Sequence, residues 1–206
     1  MKKIFAIMFL LTFYFSNAQK NGLEFGVKIG ANVSSLTNYL DSNDETRESI
    51  LIGGFIEKPL TEKISFTPEL VFSSQGEISN YETTDGNFEA ITQLDYLYLP
   101  LMAKYYLFDS FAIEAGPQIG FLLGTSLSLQ SDGEFSGNFE PLFADIFEDE
   151  FSTFDAGFNL GASYKLPFNV FFQARYSMGL LNINNSSFNN DKVRNNVFQF
   201  AVGYSF

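Results

Sequence analysis

The 206-residue sequence contains no cysteine, no histidine and no tryptophan. Without cysteine there is no disulfide framework. Without histidine, a serine nucleophile lacks its usual base, and a catalytic zinc lacks its usual ligands. Basic residues are scarce as well, with 12 Lys and Arg against 24 Asp and Glu, a formal charge of −12. A surface so acidic excludes nucleic acid as a partner, because phosphates need a basic footprint. Long apolar runs are also missing: beyond the first 18 residues no apolar stretch reaches the length of a membrane-spanning helix.

What is present begins at the N-terminus. Lys2 and Lys3 precede an apolar run over residues 4–15, and Ser16, Asn17 and Ala18 supply small residues. That three-part order is the signature of a secretory signal peptide, and the apolar core is too short for a spanning anchor. The expectation is a signal peptide over 1–18, cleaved between Ala18 and Gln19, and a single domain over 19–206. No cysteine follows the apolar run, so a lipidated N-terminus is excluded. Removing Lys2 and Lys3 leaves 10 bases against 24 acids, or −14.

The mature segment carries a repeated period of two, the mark of a strand. Leu23, Phe25, Val27, Ile29, Ala31 and Val33 alternate with small or polar residues. The pattern returns over 64–73, 96–105, 111–122, 154–165, 170–179 and 197–206. Residues 49–58 are the weakest member, with two glycines and apolar residues on both faces, and are assigned as a strand to complete an even count. Connections alternate in length. Those at 60–63, 107–110 and 166–169 are tight, whereas 35–48, 75–90, 130–152 and 182–195 are long and polar. Pro68, Pro100 and Pro117 fall within strands, where each removes a ladder donor, and are expected at bulges or strand ends.

Alternation alone does not say which face meets lipid. The polar faces are mostly Gly, Ser, Asn and Gln, with a few charges, Lys28, Glu69, Lys104, Glu114 and Arg175 among them. A soluble barrel would carry more charge on its outside. None of the seven alternating apolar stripes contains Lys or Arg, which would cost ~2–4 kcal/mol at the middle of a bilayer. In lipid every backbone polar group must be satisfied internally, and a closed sheet leaves no edge. The expected fold is therefore all-β: a closed eight-stranded antiparallel up-and-down transmembrane β-barrel with short periplasmic turns and long extracellular loops. The five charges are expected inside as a paired network, with Glu69 and Glu114 each meeting Lys104 or Arg175, because an unpaired buried charge is costly. Glycines at 116, 120, 124, 157 and 161 are expected at inward positions, as room inside the barrel.

The segments PELVFSSQGE (68–77), YLYLPLMAKYYL (96–107), FAIEAGPQIGFLL (111–123), FFQARYSMGLLNI (171–183) and NNVFQFAVGYSF (195–206) resemble the PorT-like outer-membrane β-barrel family of Bacteroidetes. The resemblance covers the whole mature chain and implies fold, phylum and location in the cell outer membrane. It implies little about function; one member is tied to a secretion system, and no motif for that role stands out here. The closing stripe Phe198, Phe200, Val202, Tyr204 and Phe206 resembles the C-terminal signal by which such barrels are recognised for assembly.

The expected partners are outer-membrane lipid and lipopolysaccharide, the barrel assembly machinery, and an envelope protein at the extracellular loops, with the chain itself a monomer. No cofactor, no metal and no catalytic residue are assigned. The acidic residues Asp132, Glu134, Glu140, Asp145, Glu148, Asp149 and Glu150 lack the spacing of a Ca²⁺ loop and read as a solvated stretch. Asp41, Asn43 and Glu45 match only the start of such a loop. Phe139, Leu142, Phe143, Ile146, Phe147 and Phe151 have partly helical spacing and suggest a short amphipathic lid over the barrel mouth. The leading functional expectation is a structural or interaction protein of the envelope without catalysis. A small ligand-binding or channel barrel and an accessory factor of protein secretion are the alternatives.

Overall fold

The computed structural model describes residues 22–37, 43–83, 86–131, 151–185 and 192–206. Eight strands follow one another: β1 (Glu24–Thr37), β2 (Asn43–Pro59), β3 (Ile64–Thr83), β4 (Gly86–Phe108), β5 (Phe111–Ser131), β6 (Phe154–Lys165), β7 (Val170–Gly179) and β8 (Arg194–Ser205). Each pairs antiparallel with its sequence neighbours, and β8 pairs with β1, closing the ring. Closure is what an alternating apolar face in lipid demands, since it leaves no unpaired strand within the bilayer.

The two faces separate by residue parity. Val27, Ile29, Ile50, Ile52, Leu70, Leu160, Phe172 and Phe200 are exposed on the outside of the ring, while Lys28, Asn32, Glu69, Ser73, Glu114 and Asn159 are buried inside it. The outside therefore carries the apolar stripes, and the inside the small and polar residues. At the periplasmic end the turns are tight. In the last of them Asn169 adopts φ 65, a left-handed conformation that asparagine tolerates, and its N–H donates to the Leu166 carbonyl.

Three expectations need correction. First, β2 to β5 run far beyond the alternating segments, so residues 75–90 are largely strand. β3 and β4 stay paired from Ser74↔Asp95 out to Thr83↔Gly86. The period of two exists only where lipid demands an apolar face. Above the bilayer both faces of a strand are free to be polar, as at Ser74, Gln75, Glu77 and Asn80, and the ladder continues without the pattern. Second, the three prolines sit at neither bulges nor strand ends. The β3–β4 register holds from Pro68↔Leu101 to Val71↔Tyr98 and that of β4–β5 from Pro100↔Gln118 to Ala103↔Ala115; Pro117↔Phe158 lies within the unbroken β5–β6 register. Each proline costs local ladder bonds instead, seen as pairings skipped without a shift. Third, Gly124 does not make room inside. It follows the irregularity at Asp95/Tyr96, and a Cβ there would meet nothing within 4 Å. Gly120 does make room: a Cβ would lie 2.3 Å from the Tyr98 ring.

Strand lengths set the overall shape. β7 has 10 residues, the length of one tilted crossing of an outer membrane. β4 has 23. At about 3.3 Å per residue the difference carries the sheet roughly 40 Å further along the strand. β2 to β5 therefore project beyond the outer surface as a twisted sheet, which the short β6, β7 and β8 do not accompany.

Candidate functional site

The barrel interior is filled in layers, and its residues come from every strand. Nearest the periplasm, Glu57 of β2 accepts from Lys104 Nζ of β4 at 2.7 Å and from the Tyr106 hydroxyl. Lys104 also lies 5.4 Å from the Phe55 ring centroid, and Phe55 packs edge-on against Phe171. Above this pair sits the main network. Arg175 of β7 donates to both Glu69 oxygens, at 3.0 and 2.9 Å, and twice to Glu114 Oε1, at 3.1 and 2.9 Å. Lys28 of β1 donates to Glu69 at 2.6 Å and to Gln173 at 2.8 Å. No side chain of the Lys28, Glu69, Glu114 and Arg175 group is more than 2% exposed.

The structure thus brings Lys28, Glu69, Glu114 and Arg175 together and sets Lys104 apart. Lys104 faces Glu114 in register across the β4–β5 ladder, yet its ion pair is with Glu57. Glu57 is the residue that sequence reasoning missed. It lies in β2, whose weak alternation gave no face assignment, although it shares parity with inward Leu51 and Phe55. Two cations meet two carboxylates in the main network, and one meets one in the layer below. Pairing of this kind offsets the desolvation of such deeply buried charges.

Further out the filling is hydrogen-bonded polar side chains and then apolar ones. Asn159 bridges Gln118 and Ser177, Asn32 donates to Ser73 and the Ser74 carbonyl, and Tyr98 donates to Asp155 at 2.7 Å. Over them lies a buried cluster of Leu36, Leu94, Tyr96, Tyr98, Phe151, Ile183 and Val193. Three of its members come from outside the eight strands and are tied together through the backbone. Ser152 N–H donates to the Ile183 carbonyl, Ile183 N–H to the Val193 carbonyl, and Leu122 N–H to the Thr153 carbonyl. These segments fold across the barrel and close it with apolar side chains. Of the lid set expected from the sequence, Phe151 is in this closure; the other five residues lie outside the described residues, as do the acidic stretch 132–150, Asp41, Ala18 and Gln19. Glu45 accepts from Asn80 Nδ2 across β2–β3 at 2.9 Å.

Outside, Phe198, Phe200, Val202, Tyr204 and Phe206 all face away from the interior, and Phe206 N–H donates to the Phe25 carbonyl at 2.7 Å. The last residue is thereby stitched to β1 where the ring closes.

The family model described as outer membrane protein beta-barrel domain matches residues 15–185. The chain belongs to that family. It is an outer-membrane β-barrel protein, built on eight strands. No curated protein sequence matches it. Among solved structures, Ail, the attachment invasion locus protein of Yersinia pestis, has a TM-score of 0.45 at 12% identity, over 89% of this chain and 98% of Ail. Neisserial surface protein A has a TM-score of 0.41 at 12% identity, over 90% and 97% of the two chains. OprG of Pseudomonas aeruginosa has a TM-score of 0.38 at 13% identity, over 89% and 95%. These are likenesses of fold, at identities too low to carry a shared role.

Proposed function

We propose that the protein is an envelope interaction protein, in which a sealed barrel holds a projecting sheet out to an extended segment of a protein partner. The supporting observation is the contrast between the two free edges of that sheet. Among the described residues, β6 pairs with β5 only as far as Phe121↔Phe154, so residues 124–131 of β5 are paired on the β4 side alone. This edge reads GTSLSLQS, with no charge and no proline. Among the described residues, the opposite edge begins beyond Ser34↔Arg47, where β1 stops pairing with β2, and reads NDET over residues 43–46. Natural sheets blunt free edges with charge, proline or bulges. The β2 edge carries such charges, whereas the β5 edge, beyond the irregularity at Leu123, has neither charge nor proline over residues 124–131, as suits a strand that receives another.

The barrel serves as anchor, not as conduit or catalyst. Its interior is paired and plugged, and the sequence has no histidine for the usual acid–base work. The reading takes the chain as exported with residues 1–18 removed, and as a PorT-like member of the family on the resemblance of its strand segments. A photo-crosslinking residue at Ser128 on the free β5 edge, with Glu45 as the control on the charged edge, tests it in intact cells. A discrete adduct from Ser128 alone is expected. Equal adducts from both positions, or none from either, would remove the proposal.

A further inference from the structure

The lipid-facing surface is not uniformly ridged. On the outward stripe of β2, Ile50, Ile52 and Ile56 are exposed, but the residue between the last two is Gly54. A Cβ there would meet nothing nearer than the Gly26 carbonyl oxygen at 3.6 Å. The missing side chain opens a groove of about 500 Å³ walled by Phe25, Val27, Ile56, Leu70, Leu99 and Phe206. A second groove of about 420 Å³ runs along the other side of Val27, against Ile29, Val202 and Tyr204. Two almost wholly apolar furrows thus flank one ridge, both in the periplasmic half of the barrel wall.

The charge that would complete such a site lies at its periplasmic end. Lys58 is two residues beyond Ile56 on the same outward parity, about 7 Å along the strand, and is exposed. No ion pair of Lys58 occurs among the described residues. The nearby acids are otherwise engaged or offset: Glu57 points inward to Lys104, Glu24 pairs with Lys165, and Glu62 shares its turn with Lys63. A cation at the interface beside two apolar furrows that share Val27 has the chemistry of a diacyl anion. We infer that the β1–β2 face binds one anionic phospholipid of the periplasmic leaflet, its two acyl chains astride Val27 and its phosphate at Lys58.

The full barrel, reconstituted in phosphatidylcholine vesicles doped with chain-spin-labelled phosphatidylglycerol, tests this by the motionally restricted fraction of the label. Native mass spectrometry of the same protein counts retained lipid. One lysine near an anionic surface favours the acidic lipid by about fivefold. The wild type is expected to show that preference and one retained lipid per barrel. Lys58→Gln should abolish the preference while keeping the lipid, and Gly54→Leu, which fills open space, should lose the retained lipid. Ala162→Leu, on the outward stripe of β6, should change neither. Heat-modifiable gel migration confirms that each variant is folded. The inference is overturned if Gly54→Leu and Ala162→Leu behave alike, if no preference for phosphatidylglycerol exists, or if two barrels associate without retained lipid.

Discussion

Arg175→Met is the most informative single perturbation of the interior. Arg175 makes four hydrogen bonds to two carboxylates, and no side chain of Arg175, Glu69 and Glu114 is more than 1% exposed. Methionine fills similar space but leaves Glu114 without its ionic partner and Glu69 with Lys28 alone. Removing one member of a buried ion group typically costs ~3–5 kcal/mol, because the remaining charge stays desolvated. At about 1.4 kcal/mol per tenfold, even the lower value reduces the folding equilibrium constant more than a hundredfold. With a urea slope of about 2 kcal/mol per molar, the midpoint should fall by roughly 2 M. Lys28→Met should cost less, about 1–3 kcal/mol, since Glu69 keeps the two-pronged Arg175 contact. Adding Glu114→Gln to Arg175→Met should restore part of the loss, because it removes the orphaned charge. Urea titration in lipid vesicles, read by the shift between folded and unfolded bands on a cold gel, measures all three. The reasoning fails if Arg175→Met leaves the midpoint unchanged, or if Lys28→Met proves the more damaging.

Leu160→Arg places a charge on the lipid face and should cost ~2–4 kcal/mol, whereas Gln118→Arg, on the inward face, should impair assembly less; the folded fraction in outer-membrane preparations compares them. The purified protein in planar bilayers should show no conductance steps, because ion pairs and the Tyr96, Phe151 and Ile183 cluster fill the bore; reproducible steps would favour a channel. Deleting Phe206 removes the terminal member of the outward stripe and its bond to Phe25, and should slow insertion into vesicles without altering the final gel mobility.

How far the sequence carried these conclusions depends on where lipid dictates pattern. In the bilayer a side chain must match its face, so Val27, Leu70, Leu160 and Phe200 could be assigned outward, and Lys28, Glu69 and Arg175 inward, from parity alone. Beyond the bilayer that constraint ends, and the outer halves of β3, β4 and β5 resemble polar loop in composition although they are paired strand. The partner of Lys104 was hidden for a related reason. In β2, glycines and apolar residues on both faces blur the alternation, so Glu57 had no assigned side. Ile183 and Val193 gave no signal, since their burial depends on segments folding back across the mouth, and only the final contacts reveal that. The β5 edge was equally silent, because it exists only through the mismatch in length between β5 and β6.

Amide hydrogen exchange along β5 tests the central claim most directly, since that one strand contains both environments. Residues 111–121 pair with β6 and, except at Gly116 and Pro117, with β4; among the described residues, 124–131 pair with β4 alone. In the isolated barrel, alternate amides of 124–131 should exchange rapidly while those of 111–121 stay protected. Uniform protection along the whole of β5 would mean that the projecting edge is already occupied, and would contradict its assignment as the surface that receives a partner.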